Sequence, residues 1–433
     1  MQQNLAVNPY LNFSSKLKSS SLVFVIYVSF AAFVAYSCMY GFRKPYTVGL
    51  YPSLFYMGIS YKVCLVIAQV VGYMISKFYG IRFISGMLPQ NRIRYILYFI
   101  GIAWLSLLLF ALIPPPYNII CMFLNGLPLG MIFGLIFGFL EGRKTTEIMG
   151  AFLATSFIFA SGLAKTMGKW VLLKLEVSEM WMPFVAGAFF ILPLFLSVWM
   201  LHQIPPPSTA DVALRSKRLP MTKTERKLFL KQFGFAITPV ITSYAIFTIV
   251  RDFCEDFANE LWIETGYQDI SIFAQTSTIM SIIVLIIIGS FFVIKSNYRA
   301  FIATHYLIIF GIFLAVIATA FFQLQFISPL VWMITATTGL YLSYLPFNCI
   351  YFERMLSTYQ LKANVGFVMY IADAFGYLGT VLVLLIKEFL HFKISWVDFF
   401  SFLFYGAGII GILLVLFALN IHKKIYSTIN TTT

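Results

Sequence analysis

Polar and apolar positions are sorted along this chain into long blocks. Apolar runs long enough to cross a hydrocarbon core as helix, about 20 residues, fall near 21–42, 61–84, 95–113, 119–140, 148–173 and 182–201. After a polar interval they resume near 234–254, 271–294, 299–322, 329–349, 364–387 and 398–421. The pattern predicts an all-α integral membrane protein with twelve transmembrane helices in two six-helix halves. The polar interval 202–233 sets the boundary, with an N-terminal half over 1–201 and a C-terminal half over 234–433. Within it, Pro205-Pro206-Pro207 favours an extended linker. Thr222-Lys223-Thr224-Glu225 then has capping-box spacing, which leaves two readings for the stretch to Phe233: a short amphipathic surface helix or a solvated basic linker.

Composition agrees with the pattern: 60% of residues are hydrophobic and only 11% charged, where a soluble domain carries about 25%. The formal charge of +14 would suggest nucleic acid in a soluble chain. Placing both termini in the cytoplasm puts 21 of the 30 Lys and Arg residues in cytoplasmic loops and ends, among them Lys77, Arg92, Arg143, Lys295 and Arg354. That is the expected bias for a multi-pass protein of a cell membrane, so the lipid bilayer is the expected partner and no nucleic acid is needed. The five cysteines lie singly with no paired spacing and read as small buried hydrophobes.

Against this background the intramembrane charges carry the chemistry. Arg43 and Lys44 follow the first apolar run, and an arginine at membrane depth costs roughly 2.5–3.5 kcal/mol on insertion scales. Arg43 lies 22 residues after Ser21, about 33 Å along a helix, so both cations can snorkel to the outer interface or turn inward. Arg251, 17 residues after Gly234, is deeper. It opens an acidic series, Asp252, Glu255, Asp256, Glu260, Glu264 and Asp269. Glu255 at i+4 is placed to pair with Arg251, and the series reads either as an outer gate or as a solvated helix end. Asp373 sits mid-run in span 11 as a lone carboxylate, suited to coupling or gating or to structural pairing. Lys165 and Lys169 share one face of span 5 and could line a cavity. His305 reads as a hydrogen-bonded structural residue. Gly126, Gly130, Gly134 and Gly138 recur every fourth residue and predict close packing of span 4.

The span count and the long middle loop resemble the major facilitator superfamily, which places substrate between two rocking halves near the bilayer midplane. Local motifs are similar to the organophosphate:inorganic phosphate antiporters. These are Tyr40-Gly41-Phe42-Arg43-Lys44, Gly72-Tyr73-Met74-Ile75-Ser76-Lys77-Phe78, Asn125-Gly126 with Gly130-Met131, Phe375-Gly376-Tyr377-Leu378-Gly379, and Arg251 in span 7. The usual acidic residue between spans 2 and 3 is missing. The combination also resembles an uncharacterised group of major-facilitator-like proteins. The antiporter resemblance implies alternating access and a small, phosphorylated or other, anion as substrate. Arg43 and Arg251 would then form the clamp, with Lys44 and Tyr40 beside them and Lys165 as further positive lining. A sugar, peptide or drug-like solute is the alternative.

A monomer without cofactor is expected. No GxxxxGK[ST] is present, and the four histidines offer no zinc pair,. A membrane enzyme acting on lipid-linked substrates is the remaining class, and only the 252–269 series could serve it.

Overall fold

In a computed structural model the described residues are 21–432, except 53, 86, 141, 142, 144, 207–222, 360–364 and 390–393. Among the described residues eleven helices are long and apolar enough to cross a membrane, or twelve when one bent pair is counted as a single span. The spans start close to where hydropathy places them, because satisfying backbone polar groups in hydrocarbon leaves helix as the only option for such runs. Span 1 is Ser21–Gly41, span 2 Tyr61–Ser85 and span 3 Arg92–Leu112. Span 5 is Thr146–Lys174, span 8 Ile272–Ser290 and span 9 Asn297–Gln323. Spans 11 and 12 are Val365–Phe389 and Trp396–Thr432.

Three spans are interrupted. Span 4 breaks between Ile119–Leu129 and Ile132–Leu140, beside Pro128 and Gly130. Span 6 bends by 46° between Met182–Ala188 and Ile191–His202. Span 10 runs from Pro329 to Pro346, loosens to a π turn over Phe347–Tyr351 and continues over Phe352–Thr358. A proline removes one helical hydrogen bond and crowds the preceding turn, so each interruption at Pro128 and Pro346 has a local cause.

Span 7 corrects the sequence reading. Lys223–Asp256 is one 34-residue helix, so the basic stretch before Gly234 is a straight extension of the span, neither a separate surface helix nor a linker. The Thr222 cap and Pro207 lie outside the described residues. The last segment of the predicted boundary 202–233 therefore belongs structurally to the second set of six helices.

Span 2 packs along span 4 through the glycine stripe. A Cβ on Gly126 would run into the backbone carbonyl of Gln69, and one on Gly130 into Ser76 and the carbonyl of Tyr73. Between the two sets of six, span 5 lies against span 8, and span 2 against span 11. Gly162 marks the first seam, where an added Cβ would meet the carbonyl of Phe273 and the side chain of Ser277. The end of the molecule where span 6 ends at His202 and span 7 begins at Lys223 is termed the linker face below, and the opposite end the far face.

Candidate functional site

The segment after span 1 turns into the protein instead of out of it. Span 1 ends at Gly41; a tight turn and a 3-10 helix, Pro45–Val48, follow, and all of it is buried. Arg43 is 4% exposed and Lys44 1%, so neither reaches an interface. The turn is held from below by amide side chains: Gln69 Nε2 donates to the carbonyl of Arg43 at 3.0 Å, and Asn125 Nδ2 to that of Phe42 at 3.0 Å. Gln69 Nε2 also donates to Asn125 Oδ1 at 2.8 Å. Two uncharged amides on spans 2 and 4 thus satisfy the carbonyls that the end of span 1 leaves free.

Arg43 lies over the ring of Tyr73, its Cζ 4.0 Å from the centroid, with Tyr40 at 5.8 Å. Tyr73 stands twelve residues from either end of span 2. Arg43 therefore sits at mid-depth of the helix it rests on, although counting along span 1 alone places it near the far end. Its Nε is buried without a hydrogen-bond partner, and among the described residues no carboxylate approaches its guanidinium within ion-pair distance. A stacked guanidinium gains from the ring quadrupole, but keeps a positive charge that no acid offsets.

Arg251 occupies the matching depth in the second set of six, and its environment is the opposite. Asp252 Oδ1 accepts from Nε at 3.2 Å and from Nη2 at 2.5 Å. Nη1 donates to the Tyr344 hydroxyl, and Nη2 reaches the hydroxyl of Tyr377 at 3.5 Å. Thr380 holds the other oxygen of Asp252 at 2.8 Å. The pairing predicted between Arg251 and Glu255 is not formed. Glu255 instead accepts from the Tyr341 hydroxyl at 2.9 Å and lies 3.4 Å from Lys44. Between the two arginines stand their aromatic partners, Tyr73 against Tyr377 edge-to-face at 5.0 Å. Tyr377, like Tyr73, stands twelve residues from either end of its span.

Around this centre the halves are tied by charge. Lys44 pairs with Asp256 as well as Glu255. Lys62, at the start of span 2, pairs with Glu260 and donates to the carbonyl of Thr47 at 2.6 Å. Asn259 donates to the carbonyl of Val48 at 2.8 Å. The front of the acidic series is thus engaged with the first set of helices, and Glu264 caps span 12 by accepting from the backbone of Trp396 at 2.7 Å. Glu264 and Asp269 are exposed, as the solvated reading has it, and hydrogen bonds from Ser271 hold the Asp269 carboxyl below the usual range.

Towards the linker face, Asp373 is not a lone carboxylate. Lys77 approaches it at 3.0 Å, and the Tyr244 hydroxyl donates to it. Placing Lys77 in a cytoplasmic loop was an error of the sequence reading, since the side chain is buried inside span 2. Its position sixteen residues into the predicted run 61–84 was the available signal. Lys62 and Gln69 were missed, an amide and a lysine inside apolar runs being the cue, and Asn125 entered only as part of the span 4 motif, without a role at the site.

Lys165 lies on the wall of a cavity of ≈ 50 Å³ between spans 5, 7, 8 and 10, shared with Glu255, Trp262, Phe273, Thr337 and Tyr341. Among the described residues Lys165 has no carboxylate within ion-pair distance. Lys169, one turn further, packs over Phe273 at 5.4 Å with its ammonium buried and unpartnered. His305 has the structural role expected of it, with Nδ1 2.9 Å from the Phe301 carbonyl and Nε2 2.9 Å from the Tyr351 hydroxyl. The described residues hold no group of three metal-ligating side chains.

Residues 45–424 match the family of unknown function DUF5690. The chain belongs to that family. No curated protein matches it in sequence. Among solved structures it is similar to the proton:xylose symporter XylE bound to 6-bromo-6-deoxy-D-glucose, at 16% identity and a TM-score of 0.62 over 92% of this chain and 96% of that one. An inward-open structure of XylE from E. coli matches at 16% identity and TM-score 0.56, covering 92% and 95%. A variant of the peptide transporter POT in complex with sulfate matches at 12% identity and TM-score 0.62, over 92% and 94%. These likenesses establish a major facilitator fold for this DUF5690 member, an all-α multi-pass membrane architecture.

Proposed function

We propose that this DUF5690 protein is a secondary active transporter that works by alternating access and moves a small carboxylate- or phosphate-bearing anion. The observation that carries the reading is Arg43, a buried guanidinium at mid-depth between the two sets of six helices with no carboxylate within ion-pair distance among the described residues. Holding such a charge in a low-dielectric site is costly, and an anion entering from either side lowers that cost. Lys165, open to the neighbouring cavity without a carboxylate partner, adds to the attraction. The two sets of six helices act as the rocking halves, the second beginning with span 7 at Lys223, and the chain between His202 and Lys223 joins them. The ion pairs of Lys44 and Lys62 with the acidic series close the far face, and Lys77 with Asp373 closes the linker face. In this reading the linker face is cytoplasmic, both termini lie there, the site is a cell membrane, and the chain works as a monomer by exchange, as the antiporter motifs suggest.

A sugar or peptide solute is the second reading. It is favoured by the closure of Arg251 by Asp252 and by the tyrosine hydroxyls of Tyr244, Tyr344 and Tyr377 around the centre. One assay separates the two. The full chain is reconstituted into liposomes preloaded with a small anion, and uptake of labelled acetate, phosphate, xylose and a dipeptide is followed. Anion uptake that is lost in Arg43→Gln supports the first reading; uptake of the uncharged sugar with Arg43→Gln unaffected refutes it.

A further inference from the structure

The two arginines that the sequence pairs as a clamp are chemically unequal here, and the difference is one residue. A phosphate dianion is recognised best when guanidinium forks offer it parallel N–H donors, usually with two positive charges converging on it. The Nε–Nη2 edge of Arg251, the edge that would make such a fork, is taken by Asp252 Oδ1 at 3.2 and 2.5 Å. The remaining Nη1 is committed to Tyr344. Asp252 cannot easily swing aside, since Thr380 on span 11 holds its second oxygen at 2.8 Å. Arg43 has no such occupant, and its Nε is buried and partnerless.

Charge counting across the centre agrees. Arg43, Lys44, Lys62, Lys77, Lys165 and Arg251 face Asp252, Glu255, Asp256, Glu260 and Asp373, six cations against five acids, with five ion-pair contacts among them. None of the five contacts involves Arg43 or Lys165, and Lys169, buried and unpartnered over Phe273, adds to the positive side.

We propose that Asp252 is the specificity-determining residue of the site: by closing the recognition edge of Arg251 it limits the substrate to a single negative charge, carried by a carboxylate or a phosphodiester, and rejects phosphate monoester dianions. A second negative charge on the ligand would meet the Asp252 carboxylate with no free guanidinium to offset it. This inference rests on the anion-transport reading above and narrows its substrate class.

The test uses the purified full chain in detergent and follows its thermal stabilisation at pH 8 by three probes. Dimethyl phosphate and acetate carry one charge, and methyl phosphate is a dianion well above its second ionisation. The wild-type protein is expected to be stabilised by one or both of the singly charged probes, and by methyl phosphate only at concentrations at least roughly tenfold higher. Asp252→Asn, which keeps the shape and removes the carboxylate charge that neutralises Arg251, is expected to improve methyl phosphate binding by about tenfold or more. Thr380→Val, which only frees the tether on Asp252, is expected to give a smaller gain and carries the test if the asparagine variant does not fold.

Wild-type protein that binds methyl phosphate as tightly as dimethyl phosphate overturns the proposal. So does the absence of any gain in the folded variants. In both cases binding that is still lost in Arg43→Gln leaves the anion reading standing. If no probe shifts the wild-type protein, the anion reading itself fails, and this inference with it.

Discussion

The Lys77–Asp373 pair offers the sharpest energetic test, because its two members come from different halves and both are buried. The ammonium and carboxylate are 3.0 Å apart, with side-chain exposures of 6% and 9%. At an effective dielectric of about 20 their attraction is about 5–6 kcal/mol, while removing both ions from water costs several kcal/mol each. The pair as a whole is therefore near neutral for stability, yet losing one partner strands the other. Lys77→Met leaves the Asp373 carboxylate with only the Tyr244 hydroxyl, and Asp373→Asn leaves a buried ammonium among Tyr73, Phe133 and Tyr370. Each single change is expected to cost about 3–5 kcal/mol. The double variant should recover most of it, since asparagine still accepts from Tyr244 and methionine fills the lysine stem. Thermal unfolding of the four proteins in one detergent gives the cycle, and the coupling should be at least about 2 kcal/mol in favour of the double variant. If the double variant is as unstable as the sum of the singles, the two residues do not act as a pair and the linker-face tie is refuted.

Two further outcomes follow from contacts between the halves. Gly162→Val should leave the protein folded but slow transport strongly, since its side chain must displace the Phe273 backbone and Ser277 across the span 5–span 8 seam. Overpacking of this kind costs about 1–3 kcal/mol, and unchanged uptake rates in liposomes would show that the seam does not close in the cycle. Glu260→Gln removes the carboxylate paired with Lys62. A thiol placed beside it as Val48→Cys, which keeps the backbone carbonyl bonded by Asn259, should react faster with a charged, membrane-impermeant reagent when combined with Glu260→Gln than alone, because the Lys62–Glu260 tie is then missing; equal rates would remove Glu260 from the gate.

Much of this protein is written in its hydropathy. The positions of the twelve crossings, the linker between them and the glycine stripe of span 4 all follow from local rules. Hydrocarbon admits only backbone that satisfies itself, and small residues are what let span 2 and span 4 touch at Gly126 and Gln69,. The residue types at the centre were legible for the same reason: arginine, lysine and aspartate inside apolar runs are expensive enough to stand out. Partners were not legible. Arg251 has Glu255 at helical spacing, yet takes Asp252, because Thr380 arrives from span 11 to orient that carboxylate and Tyr344 and Tyr377 hold the guanidinium, while Lys44 and Tyr341 draw Glu255 away. Depth was not legible either. Counting along span 1 puts Arg43 near the far boundary; the inward turn held by Gln69 and Asn125 sets it against Tyr73 at the middle of span 2. Helix periodicity fixes which residues share a face within one span, but which charge meets which across spans is decided by packing between segments distant in sequence. That is why the charges could be found in the chain, and only the folded protein shows which of them are left unpaired.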